Sequence, residues 1–219
     1  MNIFENENIE FFNDIALLKA DTHFTLWVKE YKGLSHNQYH LQKVKPFLKN
    51  TVVDCGANIG TMTLFYAQHS DLVIAIEPHK DAFTCLEWNM KEQNVKCINA
   101  AVGSKKGKCS VETETNNIGM TYVKKGKDLD VITIDSLKLG NVSYMKMDIE
   151  GYELEALKGA VETIKEYKPI LDIEINDATL DRFGLTANDI YSFLDDLGYV
   201  EFDSVGKTPQ RDVLFKYKG

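Results

Sequence analysis

Thr51-Val-Val-Asp54-Cys55-Gly56-Ala-Asn58-Ile-Gly60-Thr61 decides the reading of this chain. A short β-branched run stops at a glycine, and apolar residues then recur with helical spacing across 59–69. A buried strand that turns at once into a helix is the first half of a βαβ unit. Glycine at 56 and 60 allows a tight bend and leaves room for a ligand to approach the backbone. The helix opening at Ile59 offers free N–H groups and the positive end of its dipole, which suit an anionic group. Leu72-Val-Ile-Ala-Ile76 reads as a second buried strand, and Glu77 stands at its end. A carboxylate at that point can accept both hydroxyls of a ribose.

Outward from this centre, strands and helices keep alternating. Residues 79–93 read as a helix, 95–102 as a third strand, 131–134 as an extra strand and 143–148 as a strand. Residues 152–166 read as a helix and 170–175, after Pro169, as a strand. The helix at 186–197 has Thr186 as its N-cap and Gly198 just past its end. Two closing strands, 199–203 and 212–217, form an antiparallel hairpin. The expected fold is α/β and doubly wound, with a mostly parallel seven-stranded sheet and helices on both faces. Such sheets bind ligands at the carboxyl ends of their strands. Residues 51–219 are expected to form this domain. Residues 1–50, where Leu41, Val44, Phe47 and Leu48 recur at helical spacing, read as a helical segment that could cover an acceptor.

Composition narrows the function. Of 219 residues, 44% are hydrophobic and 26% charged, which excludes disorder and disulfide-dense miniproteins. No apolar run approaches the ~20 residues of a membrane span. The first residues are acidic where a signal peptide carries Lys or Arg, so a cytoplasmic location is expected. Lys+Arg 25 against Asp+Glu 33 gives −8, which repels phosphate backbones. The clusters Lys105-Lys106-Gly-Lys108 and Lys124-Lys125-Gly-Lys127 read as solvated loop charge. Cys55, Cys85, Cys97 and Cys109 never reach CxxC spacing and fit reduced thiols.

Two cofactor classes use a glycine loop followed by an acid. A dinucleotide site wants G-x-G-x-x-G, but here the glycines are spaced G-x-x-x-G after Asp54. The D-x-G-x-N-x-G form with Glu77 favours S-adenosylmethionine. A turn that only packs a helix on a sheet, and a nicotinamide site serving an NAD-dependent oxidoreductase, are the other readings. The chain also resembles the FkbM-type methyltransferases. The resemblance rests on 54–60, Ala75-Ile-Glu77-Pro78, Asn99-Ala-Ala-Val-Gly103, Ile132-Thr-Ile-Asp135-Ser, Met145-Lys-Met-Asp148-Ile-Glu150-Gly151-Tyr-Glu153 and Leu157-Lys-Gly159-Ala. It covers roughly 50–180 and implies a Rossmann-like class I methyltransferase fold. It further implies O-methylation of a hydroxyl on a sugar, glycan or related small molecule, within what could be one domain of a larger glycan-processing enzyme. The cofactor set expected is Asp54, Gly56, Asn58, Gly60, Thr61, Glu77, Pro78, Ala100, Ala101 and Asp148.

An alcohol attacks a methyl group only as it loses its proton, so the chemistry needs a base or a metal. Asp148 and Glu150, two apart at a strand end, are expected to share a face. Glu174 and Asn176 have the same relation on the next strand. Crowded acids raise one another's pKa. Glu150 is the expected base, with Asp148, Glu174 and Asn176 as possible ligands of Mg²⁺ or Mn²⁺. Capping of the 152–166 helix is the other reading for Asp148 and Glu150, and a strand-end salt bridge for Glu174. Lys146 could pair with Asp148 or with the acceptor. Asn116-Asn-Ile-Gly119-Met120 could lie over the methionine end of the cofactor, or be a plain turn. His36 and His40, a helical turn apart, read as surface histidines or as acceptor or metal contacts. Trp27, Tyr31 and Tyr39 read as core or lid packing, or as sugar-stacking rings. A nucleic-acid acceptor fits less well: Asp148-Ile-Glu150-Gly151 stands where amino-methylases carry Asp/Asn-Pro-Pro-aromatic, and no Cys follows a Pro.

Overall fold

The computed structural model describes residues 3–34, 37–113 and 117–219. The chain begins with a hairpin of β1 (Ile9–Phe12) and β2 (Ile15–Leu18), which turns through Asn13 and Asp14, both at positive φ. Helices α1 (Phe24–Tyr31) and α2 (Gln38–Val44) follow. Next come β3 (Thr51–Cys55), α3 (Thr63–Ala67), β4 (Leu72–Ile76), α4 (Lys80–Asn89), β5 (Val95–Ile98) and β6 (Ala101–Val102). The long pair β7 (Gly107–Thr113) and β8 (Thr121–Ile132) leads to β9 (Val142–Met147), α5 (Glu153–Lys158) and α6 (Val161–Tyr167). Last are β10 (Ile170–Asn176), α7 (Asp177–Asp181), α8 (Ala187–Asp196), β11 (Tyr199–Lys207) and β12 (Gln210–Tyr217).

Seven strands form one sheet in the order β11-β12-β10-β9-β3-β4-β5. Strands β10, β9, β3, β4 and β5 run parallel, and β12 and β11 add the antiparallel edge. All five residues of β3 are buried, as a central strand covered on both faces requires. Alternation divides the apolar side chains between two cores. Val53, Cys55, Ile74, Ile76, Met145 and Met147 face one, while Val52, Val73, Ala75 and Tyr144 face the other. After β3 the chain builds outward through β4 and β5, then returns to place β9 on the other side of β3. The strand order therefore reverses between β3 and β9, and that is where such a sheet opens a crevice.

The mostly parallel seven-stranded sheet and the closing hairpin agree with the sequence reading, and several local features depart from it. The first fifty residues contain the β1–β2 hairpin as well as helices. The helix expected over 59–69 is confined to Thr63–Ala67, because Asn58 and Gly60 take positive φ and hold 57–62 in a turn. The strand expected over 95–102 breaks at Asn99, whose side-chain amide donates to the carbonyls of Glu77 and Pro78. Ala101 and Val102 then pair with β8 in a separate three-stranded sheet. The lysine cluster 124–127, expected in a loop, lies on β8, and Lys108 lies on β7, while Lys105 and Lys106 stay in the bend before it. Lys124 pairs with Glu112 at 2.6 Å and Lys108 with Asp130 at 2.9 Å across the strands.

At the β3–β9 junction, Gly56 has φ +87, and a Cβ there would fall on the Asp148 carbonyl oxygen. Gly56→Ala should cost about 3 kcal/mol, combining left-handed strain with overpacking, and should lower the urea midpoint without changing its slope. Gly107 has open space where a Cβ would sit, so Gly107→Ala should leave the midpoint nearly unchanged.

Candidate active site

A cavity of about 380 Å³ opens at the carboxyl ends of β3, β4, β9 and β10. His23 and Phe24 at the start of α1, together with Asn117, Ile118, Gly119 and Met120, line it from the loop side. The ring of Phe24 lies against Gly119, so these two segments meet over the cavity. Asn116 falls outside the described residues.

The turn after β3 is held by its own backbone. Gly56 N–H and Ala57 N–H both donate to the Ile76 carbonyl, at 2.9 and 3.1 Å. Asn58 N–H donates to Glu77 Oε2 at 2.8 Å, and His79 N–H to Glu77 Oε1 at 2.7 Å. Burial pushes the Glu77 carboxyl up to about 7 despite these two N–H donors, which oppose the shift. Asn58 Oδ1 is buried without a partner, and Asn58 lines the cavity. Asp54 Oδ2 accepts from the Thr63 hydroxyl at 2.7 Å, tying β3 to α3, and burial raises this carboxyl to about 6. Thr61, Pro78, Ala100 and Ala101 also line the cavity. Gly60 does not, against the expectation that it admits a ligand: it packs on Met90 and Leu86 of the α4 region.

Asp148 follows directly on β9. Glu150 is not on the strand, so the two do not share a face by strand alternation. Glu150 sits in the left-handed region at φ +58, and its carbonyl accepts from Arg182 Nη1 at 3.2 Å. The reversed backbone still brings carboxylate oxygens of Asp148, Glu150 and Glu174 within 4.8 Å of one another. Glu174 Oε1 accepts from Gln210 Nε2 at 2.7 Å, while Oε2 is buried without a partner. Burial, then the charges of Asp148 and Glu150, hold the Glu174 carboxyl well above the usual carboxylate range. Asn176 also lines the cavity, but its Oδ1 accepts from Ala178 N–H at 3.2 Å and caps α7. Asp148, Glu150 and Glu174 thus form a close set of oxygens suited to a cation, while the Asn176 Oδ1, expected as a ligand, is engaged in the α7 cap. The turn itself is braced by Glu153, whose Oε1 accepts from the N–H groups of Ile149 and Gly151 at 3.0 and 3.1 Å.

Beneath these acids lies one buried cation. Lys146 Nζ is 2.5 Å from Asp212, 3.3 Å from Asp148 and 3.9 Å from Asp172. Burial disfavours its charge, but Asp148, Asp212 and Asp172 outweigh that and raise its pKa well above the usual lysine value. Asp172 is fully buried; burial pushes its carboxyl up, and Lys146 and His40 bring it below its ordinary value. His40, read as a surface residue, is fully buried on α2, with Nε2 2.6 Å from Asp172 Oδ2. The Tyr144 hydroxyl donates to the same oxygen. His36 lies outside the described residues. Tyr31 and Tyr39 are exposed at 60% and 66%, so neither is core. Sequence reasoning quotes Glu153 within a motif without giving it a role, and passes over Gln210, Asp172 and Asp212. Only Asp172, inside the Leu171-Asp-Ile-Glu174 strand, carried a signal, being an acid within an apolar run.

The reversal point, the turn after its first strand and the acids facing that turn define a Rossmann-like methyltransferase fold. The chain belongs to the methyltransferase FkbM domain family, whose sequence profile matches residues 54–201. Solved structures share its fold. The FkbM methyltransferase of Methylobacillus flagellatus is 23% identical over 77% of this chain, with TM-score 0.56. The present chain spans 44% of that protein. A methyltransferase-like protein of Streptococcus mutans, crystallised with S-adenosylhomocysteine (SAH), is 12% identical over 82% of this chain and 96% of its own, with TM-score 0.54. An rRNA methylase of Streptococcus thermophilus is 14% identical over 82% and 94%, with TM-score 0.52. At these identities the neighbours share the fold. No curated protein matches the sequence. Among the described residues no helix is long and apolar enough to cross a membrane.

The raised carboxyls make stability depend on pH. Asp54, Glu77 and Glu153 titrate at about 6, 7 and 7 in the folded chain, against 3.8, 4.5 and 4.5 ordinarily, with burial as the first cause of each. Between those values the native state holds more protons than the unfolded state, so stability falls as pH rises from about 4.5 to 7. His79, lowered by burial, contributes the opposite sign, but as one group against three. The urea midpoint should be higher at pH 5 than at pH 8. Glu153→Gln, which keeps an acceptor for both N–H groups, should flatten that slope.

Proposed function

We propose that this chain is an S-adenosylmethionine-dependent O-methyltransferase acting on a hydroxyl of a sugar, glycan or related small molecule. The observation that carries the reading is one cavity lined by two contrasting groups: the glycine turn with Glu77, and the Asp148–Glu150–Glu174 cluster. Glu77, fixed by two backbone N–H groups, is placed to accept the ribose hydroxyls. The unpartnered Asn58 Oδ1 offers an acceptor for a donor on the same ligand, and Ala100 and Ala101 leave flat apolar space for the adenine. The glycine spacing does not provide the dinucleotide motif, which argues against a nicotinamide.

Methyl transfer from a sulfonium is an in-line displacement. The acceptor oxygen forms a bond to the methyl carbon as the carbon–sulfur bond breaks, and the sulfur leaves as the neutral thioether of SAH. The protein's part is alignment and removal of the hydroxyl proton. Glu150 receives that proton. Its neighbours suit it to the role: Asp148 is paired with Lys146, and burial together with the charges of Asp148 and Glu150 raises the Glu174 carboxyl. The partner-free Glu174 Oε2 and the mutual spacing of the three acids also fit Mg²⁺ or Mn²⁺, which would acidify the same hydroxyl. The acidic cavity favours a neutral acceptor over a polyanion, which is why a nucleic-acid substrate is the weaker reading.

Calorimetric titration with SAH should show micromolar binding that weakens at least tenfold in Glu77→Ala, a loss of about 1.4 kcal/mol. Wild-type binding should strengthen as pH rises from 6 to 8, because Glu77, at about 7, must ionise to accept two hydroxyls. Absence of SAH binding would remove the proposed activity. Glu150→Gln should lower kcat by about 10²–10⁴ while leaving SAH affinity unchanged. Loss of turnover in EDTA, restored by Mg²⁺ or Mn²⁺, would assign a cation to the acids. Turnover unaffected by EDTA would leave Glu150 as the base acting alone.

A further inference from the structure

Three aromatic side chains run along one side of α1. His23 just before the helix, and Trp27 and Tyr31 within it, are four residues apart and so fall on one face. The His23 and Trp27 rings lie 6.2 Å apart and 19° from parallel, and the Trp27 and Tyr31 rings lie 5.4 Å apart and 69° from parallel, edge to face. His23 lines the cavity, whereas Trp27 and Tyr31 lie beyond it. The stripe therefore begins at the mouth and continues outside. It faces outward: His23 is exposed, Trp27 half-buried and Tyr31 60% exposed. The other side of the helix is fastened down. Val28 is buried, the Thr25 hydroxyl donates to the Leu18 carbonyl at 2.8 Å, and Asp21 accepts from the N–H groups of His23 and Phe24 at 2.9 Å each.

Resting on the proposed activity, we infer that this stripe binds the remainder of a neutral oligosaccharide whose terminal or internal sugar is methylated in the cavity. A pyranose has an apolar C–H face with hydroxyls around its rim. Such a ring matches an exposed aromatic that is apolar on its face and wet at its edge. The ring spacing along α1 is close to the length of one sugar unit, so a sugar held over the near-parallel His23 and Trp27 rings places the next one beside Tyr31, whose ring is turned across the stripe. Charge selects against the other polymer that stacks on aromatics. Single-stranded nucleic acid needs a cationic groove beside its stacking platform. Here the stripe leads to Asp148, Glu150 and Glu174, on a chain of net charge −8.

The test is a glycan array carrying neutral glycans graded in length from single sugars upward, together with acidic glycans and single-stranded RNA, probed with the whole chain in the presence of SAH. Wild type should retain neutral oligosaccharides more strongly as they lengthen. Trp27→Ala and Tyr31→Ala should each lose about tenfold on the long members. Neither should change retention of single sugars, and Trp27→Phe should restore most of the loss. An unchanged SAH affinity in each variant shows that the fold is intact. Retention independent of glycan length, no neutral glycan retained, or preference for RNA would overturn the inference. So would self-association of wild type that Trp27→Ala dissolves, which would put a second copy on the stripe. Wild type that retains neutral oligosaccharides but fails to bind SAH would refute the methyltransferase reading while leaving the stripe's ligand in place.

Discussion

The site depends on how closely β3 and β9 approach at their carboxyl ends. Gly56, at φ +87, leaves no room for a Cβ because the Asp148 carbonyl occupies that space. The same contact carries the Asp148 N–H to the Cys55 carbonyl at 3.1 Å, so the two strands are joined to their last residues. With this junction closed, the turn after β3 is pressed toward β4, and its Asn58 N–H reaches Glu77. On the other flank the chain must reverse at Glu150, which brings that carboxylate beside Asp148 and Glu174. One steric constraint thus sets both groups that line the cavity.

The second constraint is electrostatic. Asp54, Glu77, Asp148, Glu153 and Glu174 are all raised above their ordinary values, because burial withdraws the water that would solvate their charge. Lys146 is the buried cation that offsets this, with Asp212, Asp148 and Asp172 around it. Its network extends through Asp172 to His40 on α2. The N-terminal region is in this way wired to the floor of the cavity as well as to its mouth, where His23 and Phe24 stand. A segment that reads as featureless in the sequence therefore touches the site from two directions.

Much of this was legible in the residues. The strands β3, β4, β9 and β10 are short apolar runs ending at a turn signal, so Asp54, Glu77, Asp148 and Glu174 could be placed at strand ends by counting. Period-2 alternation, however, misplaced Glu150, since a left-handed residue just past a strand follows no alternation. Gly60 is expected to admit a ligand, but a glycine spared for packing on Met90 looks the same in sequence as one spared for a ligand. Of β7 and β8 the sequence reading catches only the end of β8, at 131–134, because an exposed hairpin stabilised by Lys–Glu and Lys–Asp pairs has no apolar period. The burial of His40 is not legible in the sequence because its partner, Asp172, lies 132 residues away. For Asn176, expected as a ligand, the sequence does not show that the same side chain also caps the next helix.

A crystal structure of the chain with SAH tests the central claim most directly, that the Glu77 flank holds the nucleoside while the Asp148–Glu150–Glu174 flank faces the reacting sulfur. The predicted result has both ribose hydroxyls on the Glu77 carboxylate, the adenine against Ala100 and Ala101, and the sulfur turned toward the three acids. A nucleoside bound away from Glu77, or a sulfur directed away from the acids, would contradict it.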